Sequence, residues 1–180
     1  ALLPAAWPYS VNAVSGYSGG GKALIGRFEE DRDIAWRGYG LTFGHKHVPE
    51  MQRYAGLMIA PLFSPAVVAA HRGMVVEIPL PLGVMPGSVP PELLRAALTQ
   101  FYEGSKVVTV AQELPADGEM LMRASMEPWD GLTLHVMGTA DGEQARLVAV
   151  LDNLGKGASG AAVQSLNLMA GLDETVGLRL

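Results

Sequence analysis

The sequence contains no cysteine, which removes disulfides, thiolate metal sites and every thiol nucleophile from what these residues can do by themselves. Chemistry that needs a sulfur nucleophile must take it from outside the chain. Positive charge is also sparse: 13 Lys and Arg stand against 18 Asp and Glu, for a formal net charge of −5. The pI is about 5.3 and the basic residues form no cluster, so the electrostatic footprint of a nucleic-acid binder is missing. Mean hydropathy is high at +0.21, yet no run approaches the ~20 apolar residues of a membrane span. Ala1 to Pro8 shows neither a basic leader nor a long apolar core. These absences point to a cytoplasmic chain with no nucleic-acid and no membrane partner, whose surplus apolar surface meets other protein.

What is present is enough for one substantial core: 180 residues, of which 49% are hydrophobic, suit a single α/β or α+β domain. Ser10 to Val14 reads as a strand running into the glycine-rich segment 15–22, with a helix from Ala23 to Glu30 and a strand from Ile34 to Thr42. Pro49 and Glu50 open a helix that continues from Met51 to Leu57, and Met58 to Phe63 returns to strand character. Gly73 to Leu80 reads as a buried strand. Pro90-Pro91-Glu92 starts a helix through Phe101. Strands follow at Lys106 to Gln112, Leu132 to Gly138 and Arg146 to Leu151, and a helix from Ala158 to Leu172 closes the chain. With no internal repeat and no linker, the expectation is one mixed-sheet domain with an appended helix.

Three stretches carry candidate chemistry. Gly16 to Lys22 satisfies the G-x-x-x-x-G-K spacing of a phosphate loop, but Ala23 stands where such a loop needs a hydroxyl for magnesium. The segment is either a glycine-rich turn at a strand end or a row of backbone amides beside Ser15 and Ser18 suited to an anion. His45-Lys46-His47 places two imidazoles on one face of an extended segment. They are open to metal binding, to a structural role or to proton transfer, which an imidazole with a pKa near ~6.5 suits at neutral pH. The third stretch, residues 152–164, contains G-x-G-x-x-G at Gly155, Gly157 and Gly160. A dinucleotide fingerprint must open a βαβ unit, and none follows here, so these glycines serve something else.

In order along the chain, Ser-Gly-Tyr-Ser-Gly-Gly-Gly-Lys (15–22), the Tyr39 to His45 interval, His-Lys-His-Val-Pro-Glu-Met (45–51) and Asn-Leu-Gly-Lys-Gly-Ala-Ser-Gly (153–160) resemble the N-acetyl-γ-glutamyl-phosphate reductases. The likeness is to the second, shorter type, related to the aspartate-semialdehyde dehydrogenases. It implies an α+β fold with a mixed β-sheet and helices on one face, like the C-terminal domain of glyceraldehyde-3-phosphate dehydrogenase. Residues 1–156 would form the catalytic and dimerisation domain, and 157–180 a helical segment returning to an N-terminal Rossmann domain. It also implies NADPH-dependent conversion of N-acetyl-γ-glutamyl phosphate to the semialdehyde of arginine biosynthesis, through a thioester on a cysteine in an Asn-x-Gly-Cys-like motif N-terminal to Leu2. The alternatives are a reductase of aspartyl or aminoadipyl phosphate, or an oligomerisation module without chemistry.

Residue by residue, the resemblance makes His45 catalytic with Tyr39 orienting it. Ser15, Ser18, Gly19, Lys22, His47, Glu50 and Arg72 become substrate contacts, and Asn153, Lys156 and Gly157 approach the cofactor. It implies no metal, and partners in the chain's own Rossmann domain and in a homodimer or homotetramer. The closing helix lines up Ala162, Leu166 and Met169, with Val163 and Ala170 beside them, as an apolar stripe. That stripe is expected to stand exposed, fold back on the sheet or meet another chain.

Overall fold

The computed structural model describes residues 2–180. Its centre is a seven-stranded mixed sheet with strand order β2-β3-β1-β4-β7-β6-β5. The strands are β1 (Ser10–Gly16), β2 (Trp36–Gly38), β3 (Leu62–Val68), β4 (Met74–Leu80), β5 (Val108–Val110), β6 (Leu132–Gly138) and β7 (Ala145–Leu151). The helices are α1 (Gly21–Glu30), α2 (Val48–Tyr54), α3 (Pro91–Phe101) and α4 (Gly160–Met169). β1 runs parallel to β3 and β5 parallel to β6, and the other pairs are antiparallel.

Period-two alternation sends Val11, Ala13 and Phe63 to one face, where Val48 and Met51 of α2 cover them. Tyr9, Leu80, Val136 and Ala145 form a second cluster, which Leu94 and Leu98 of α3 close. Ile78 touches both clusters, so α2 and α3 share one face of the sheet, as the resemblance implies. Burying each large aliphatic side chain in these clusters contributes about 1.5–3 kcal/mol.

Several boundaries move from their sequence expectations for local reasons. The strand read over 34–42 shortens to Trp36–Gly38, because Gly40 takes a left-handed φ of 64° and turns the chain. The strand read over 58–63 lies instead at Leu62–Val68 and passes through Pro65. A proline breaks a ladder by its missing N–H, but the Pro65 carbonyl accepts the Tyr39 N–H on the side of β2. The missing donor therefore faces the place where that short edge strand ends. The strand read over 106–112 reduces to Val108–Val110, and α2 starts at Val48, one residue before its proline.

The closing helix begins earlier than Ala158, as a π-helical turn over Gly155–Ser159, with Gly157 N–H on the Asp152 carbonyl and Ser159 N–H on that of Leu154. Both are i→i−5 bonds. It ends before Leu172 in a Schellman motif: Gly171 has φ 71°, its N–H bonds the Leu168 carbonyl, and the Leu172 N–H bonds that of Asn167. The buried side of α4 carries Gly160 and Asn167, and the Asn167 amide donates to the carbonyls of Glu174 and Val176. Val163, Leu166, Leu168 and Met169 are exposed, so the apolar stripe does not fold back on the chain's own sheet. The tail after α4 folds back on the domain, where Arg179 grips the buried Asp130 through Nε at 2.7 Å and Nη2 at 3.0 Å.

Candidate active site

The site starts from strand direction. β1 to β4 and β4 to β7 are both antiparallel steps, so β1 and β7 run the same way and end at the same edge of the sheet. Ser15 lies opposite Met74, and Met74 opposite Leu151. The register thus delivers the glycine-rich loop beside Asp152 and Asn153, more than a hundred residues away in sequence.

Asp152 is fully buried. A buried carboxylate is tolerable only when paired and hydrogen-bonded, and here Arg72 Nη1 donates to Oδ2 at 2.9 Å, Trp129 N at 3.3 Å, and Leu154 N to Oδ1 at 2.9 Å. Asn153 accepts the Gly73 N–H on Oδ1 and donates from Nδ2 to Ser18 Oγ, both at 2.9 Å. A Cβ on Gly19 would lie 3.3 Å from Ser15 Oγ and 3.4 Å from Asn153 Nδ2. Ser15, Ser18, Gly19, Arg72 and Asn153, placed in two different roles by the resemblance, therefore form one contiguous cluster.

The loop's backbone corrects one expectation. The N–H groups of Gly16, Tyr17 and Ser18 bond the carbonyls of Gly73, Ala70 and His71, so these three amides hold the loop to the turn before β4 and are not free for an anion. Lys22 is exposed in the first turn of α1. The ring of Tyr17 stacks on Phe28 at 5.2 Å between centroids, which anchors α1 behind the loop.

The histidines form a second cluster, over the α2 side of the sheet. His45 packs edge-on against Phe63 at 4.9 Å and lies 5.5 Å from the Tyr39 ring and 5.1 Å from that of His47. Tyr39 thus meets His45 as a tilted ring pair at 60°, and the Arg37 guanidinium sits 4.9 Å over the Tyr39 ring. Burial raises the Tyr39 pKa, partly offset by Arg37. The His45 pKa is lowered, first by burial and then by the neighbouring His47 and Lys46, which keeps the ring neutral at neutral pH. The His47 backbone N–H donates to His45 Nδ1 at 3.2 Å, so the proton of the neutral ring is on Nε2. His47 Nδ1 lies 2.7 Å from Glu50 Oε2 on the first turn of α2, which pairs these two residues with each other. The two clusters share one face of the sheet but do not touch: His45 sits at Phe63, four positions before Val67, the partner of Ser15.

The residues expected at the cofactor do not by themselves make a dinucleotide grip. Both amide atoms of Asn153 face the domain, Lys156 Nζ is held by Gln164, and the Gly157 N–H is on the Asp152 carbonyl. Two of the three glycines of the fingerprint have a packing explanation instead. A Cβ on Gly155 would lie 1.9 Å from the Trp129 carbonyl oxygen, and one on Gly160 2.4 Å from Asp130 Oδ1. Only hydrogen atoms fit where the turn crosses Trp129 and Asp130. Among the described residues, no group of three or more His, Asp or Glu side chains is placed to hold a metal ion, and no helix is long and apolar enough to cross a membrane.

Sequence reasoning missed Trp129, Asp130 and Arg179 altogether and gave Asp152 no role beyond opening the stretch 152–164. A carboxylate directly after a buried strand was the available signal for Asp152. Nothing local announced the pairing of Asp130 with Arg179.

Residues 1–153 match the family described as semialdehyde dehydrogenase, dimerisation domain. Among curated relatives, N-acetyl-gamma-glutamyl-phosphate reductase 2 of Nostoc sp. is 45% identical, covering 98% of this chain and 59% of its own length. N-acetyl-gamma-glutamyl-phosphate reductase of Brucella ovis is 47% identical, covering 94% of this chain and 57% of its own length. The chain thus spans less than two thirds of the relatives it matches. Among solved structures, aspartate semialdehyde dehydrogenase II from Vibrio cholerae aligns over 90% of this chain and 55% of that chain, with a TM-score of 0.59 and 18% identity. At that identity the likeness speaks for the fold alone.

Proposed function

Because the chain belongs to the semialdehyde dehydrogenase family, in its dimerisation-domain part, we propose that it is the catalytic and dimerisation portion of an N-acetyl-γ-glutamyl-phosphate reductase of arginine biosynthesis. The observation that carries this reading is the 45–47% identity to reductases of that name across nearly the whole chain. The reductant is NADPH, which supplies hydride when bound by the remainder of the protein, a nucleotide-binding domain that also covers the exposed stripe of α4. The protein works in the cytoplasm as a homodimer or homotetramer.

In this reading a thiolate from outside these residues attacks the acyl carbon of the substrate, the C–S bond forms, and the C–O bond to phosphate breaks. His45 meets the acyl oxygen. With its proton on Nε2 and its charge suppressed, it donates a hydrogen bond to the oxygen where negative charge develops, an interaction that strengthens in the transition state. Taking the proton of the thiol requires the other tautomer, so the ring must release the His47 N–H from Nδ1 before acting as a base. Tyr39 and Phe63 fix the plane of the ring throughout. Ser18, Gly19, Lys22 and Arg72 line the substrate side, where an ammonium and a guanidinium already oriented by Asp152 meet phosphate or carboxylate. His47 and Glu50, bound to each other, stand at the rim.

The test is NADPH oxidation by the full-length protein with N-acetyl-γ-glutamyl phosphate, aspartyl phosphate and aminoadipyl phosphate in parallel. His45→Ala is expected to lower kcat by about 10²–10⁴-fold, while His47→Ala mainly raises KM. Preference for another acyl phosphate, or an unchanged His45→Ala enzyme, would reject the assignment.

A further inference from the structure

We propose that Asn153 is a positioning residue for the substrate loop rather than a contact of the dinucleotide. The proposal rests on the reductase reading above and refines one residue of that site. A backbone N–H can only donate, so the atom of the Asn153 amide that faces Gly73 N must be Oδ1, and the NH2 is thereby turned to Ser18 Oγ. Both distances are 2.9 Å, and the side chain is buried. These bonds close a ring. Asn153 holds Gly73, the Gly73 carbonyl accepts the Gly16 N–H at 2.8 Å, the chain runs from Gly16 through Tyr17 to Ser18, and the Ser18 hydroxyl returns to Asn153.

The ring has little slack. Gly73 takes φ 107°, a conformation that residues with a Cβ rarely adopt, so the turn depends on glycine at this position. A Cβ on Gly19 would come within 3.4 Å of Asn153 Nδ2, so the loop passes close to the amide there as well. The preceding residue, Asp152, holds Arg72 one position before the same turn. The dipeptide after β7 therefore sets the loop hydroxyl and the arginine together. Losing the Asn153 amide frees the loop that meets the acyl phosphate and leaves the dinucleotide's own contacts in place.

The experiment is steady-state kinetics of the full-length protein carrying Asn153→Ala, Ser18→Ala or both, with each substrate varied in turn. Each single variant should raise KM for N-acetyl-γ-glutamyl phosphate by about tenfold, the equivalent of one buried hydrogen bond, with KM for NADPH within about twofold. The double variant should be no worse than the worse single one, because both remove the same link. A rise in KM for NADPH alone, or additive effects, would overturn the proposal and return Asn153 to the cofactor. Amide hydrogen exchange of residues 16–21 and 73 gives a readout independent of turnover. Exchange should quicken in Asn153→Ala, and unchanged protection would overturn the link. If the wild-type protein reduces none of the acyl phosphates, the functional reading falls on that result, while the exchange measurement still decides whether Asn153 holds the loop.

Discussion

Replacing the fingerprint glycines by alanine separates a packing role from a nucleotide role. In an ordinary exposed helix, Gly→Ala stabilises by roughly 0.5–1 kcal/mol, because glycine loses more backbone freedom on folding. Gly26, in α1, meets that condition, since a Cβ there has nothing within 4 Å. Gly155→Ala should do the opposite. Its new methyl group would sit 1.9 Å from a backbone carbonyl oxygen, and neither the π turn nor the Trp129 backbone can move without disturbing Asp152, which bonds both. Gly160→Ala would press on Asp130, which is 2% exposed and pinned by three hydrogen bonds from Arg179. Overpacking of this kind costs about 1–3 kcal/mol, with rigid neighbours at the upper end. At about 2–4 °C per kcal/mol for a chain of this size, a cost of about 3 kcal/mol lowers Tm by roughly 6–12 °C, whereas Gly26→Ala raises it by about 1–4 °C. Gly157, whose Cβ would lie 3.3 Å from the Asp152 carbonyl oxygen, belongs between them. Thermal and urea unfolding of the four variants would establish the order. If Gly155→Ala and Gly160→Ala unfolded with the wild type yet lost NADPH binding, the packing argument would be wrong and these glycines would serve the dinucleotide.

Two further outcomes depend on charge. The side-chain hydrogen bonds from Arg179 hold the Asp130 carboxyl below the usual carboxylate range; a folded pKa lower than the unfolded one stabilises above the unfolded value near ~3.9 and ceases to do so as pH falls through the folded value. Arg179→Met should therefore cost about 1–3 kcal/mol at neutral pH, with a gap to wild type that narrows below about pH 4; a gap independent of pH would contradict the assignment. In the full-length enzyme, a limb of kcat/KM that requires neutral His45 falls away as pH drops through its pKa, and burial, His47 and Lys46 all move that limb below the ordinary ~6.5. Lys46→Gln removes one of these causes, so the limb should move to higher pH, and a shift the other way in a pH–rate profile would show that Lys46 does not act on His45.

The elements legible in the sequence are those whose signal is local. The alternation in β6, the apolar run of β7, the paired prolines at the start of α3 and the strand-to-glycine-to-helix passage at β1 and α1 all lie within a few residues, and the structure keeps them nearly where they were read. The candidate residues were legible for the same reason, as short words: His-Lys-His, Ser-Gly-Tyr-Ser-Gly, Asn-Leu-Gly-Lys-Gly. Their partners were not. Whether Pro65 ends a strand depends on where β2 stops across the ladder. Whether Gly155 and Gly160 cradle a phosphate or a tryptophan carbonyl depends on what crosses them, and Trp129 and Asp130 arrive from a long loop. The apolar period of α4 was visible, but which side of that helix is buried was settled by Asn167 bonding the returning tail. Arg72 reaches Asp152 and Asn153 reaches Ser18 across 80 and 135 residues. Contacts of that span are set by strand order and register, which put residues side by side whatever their distance along the chain, so only the tertiary structure could decide them.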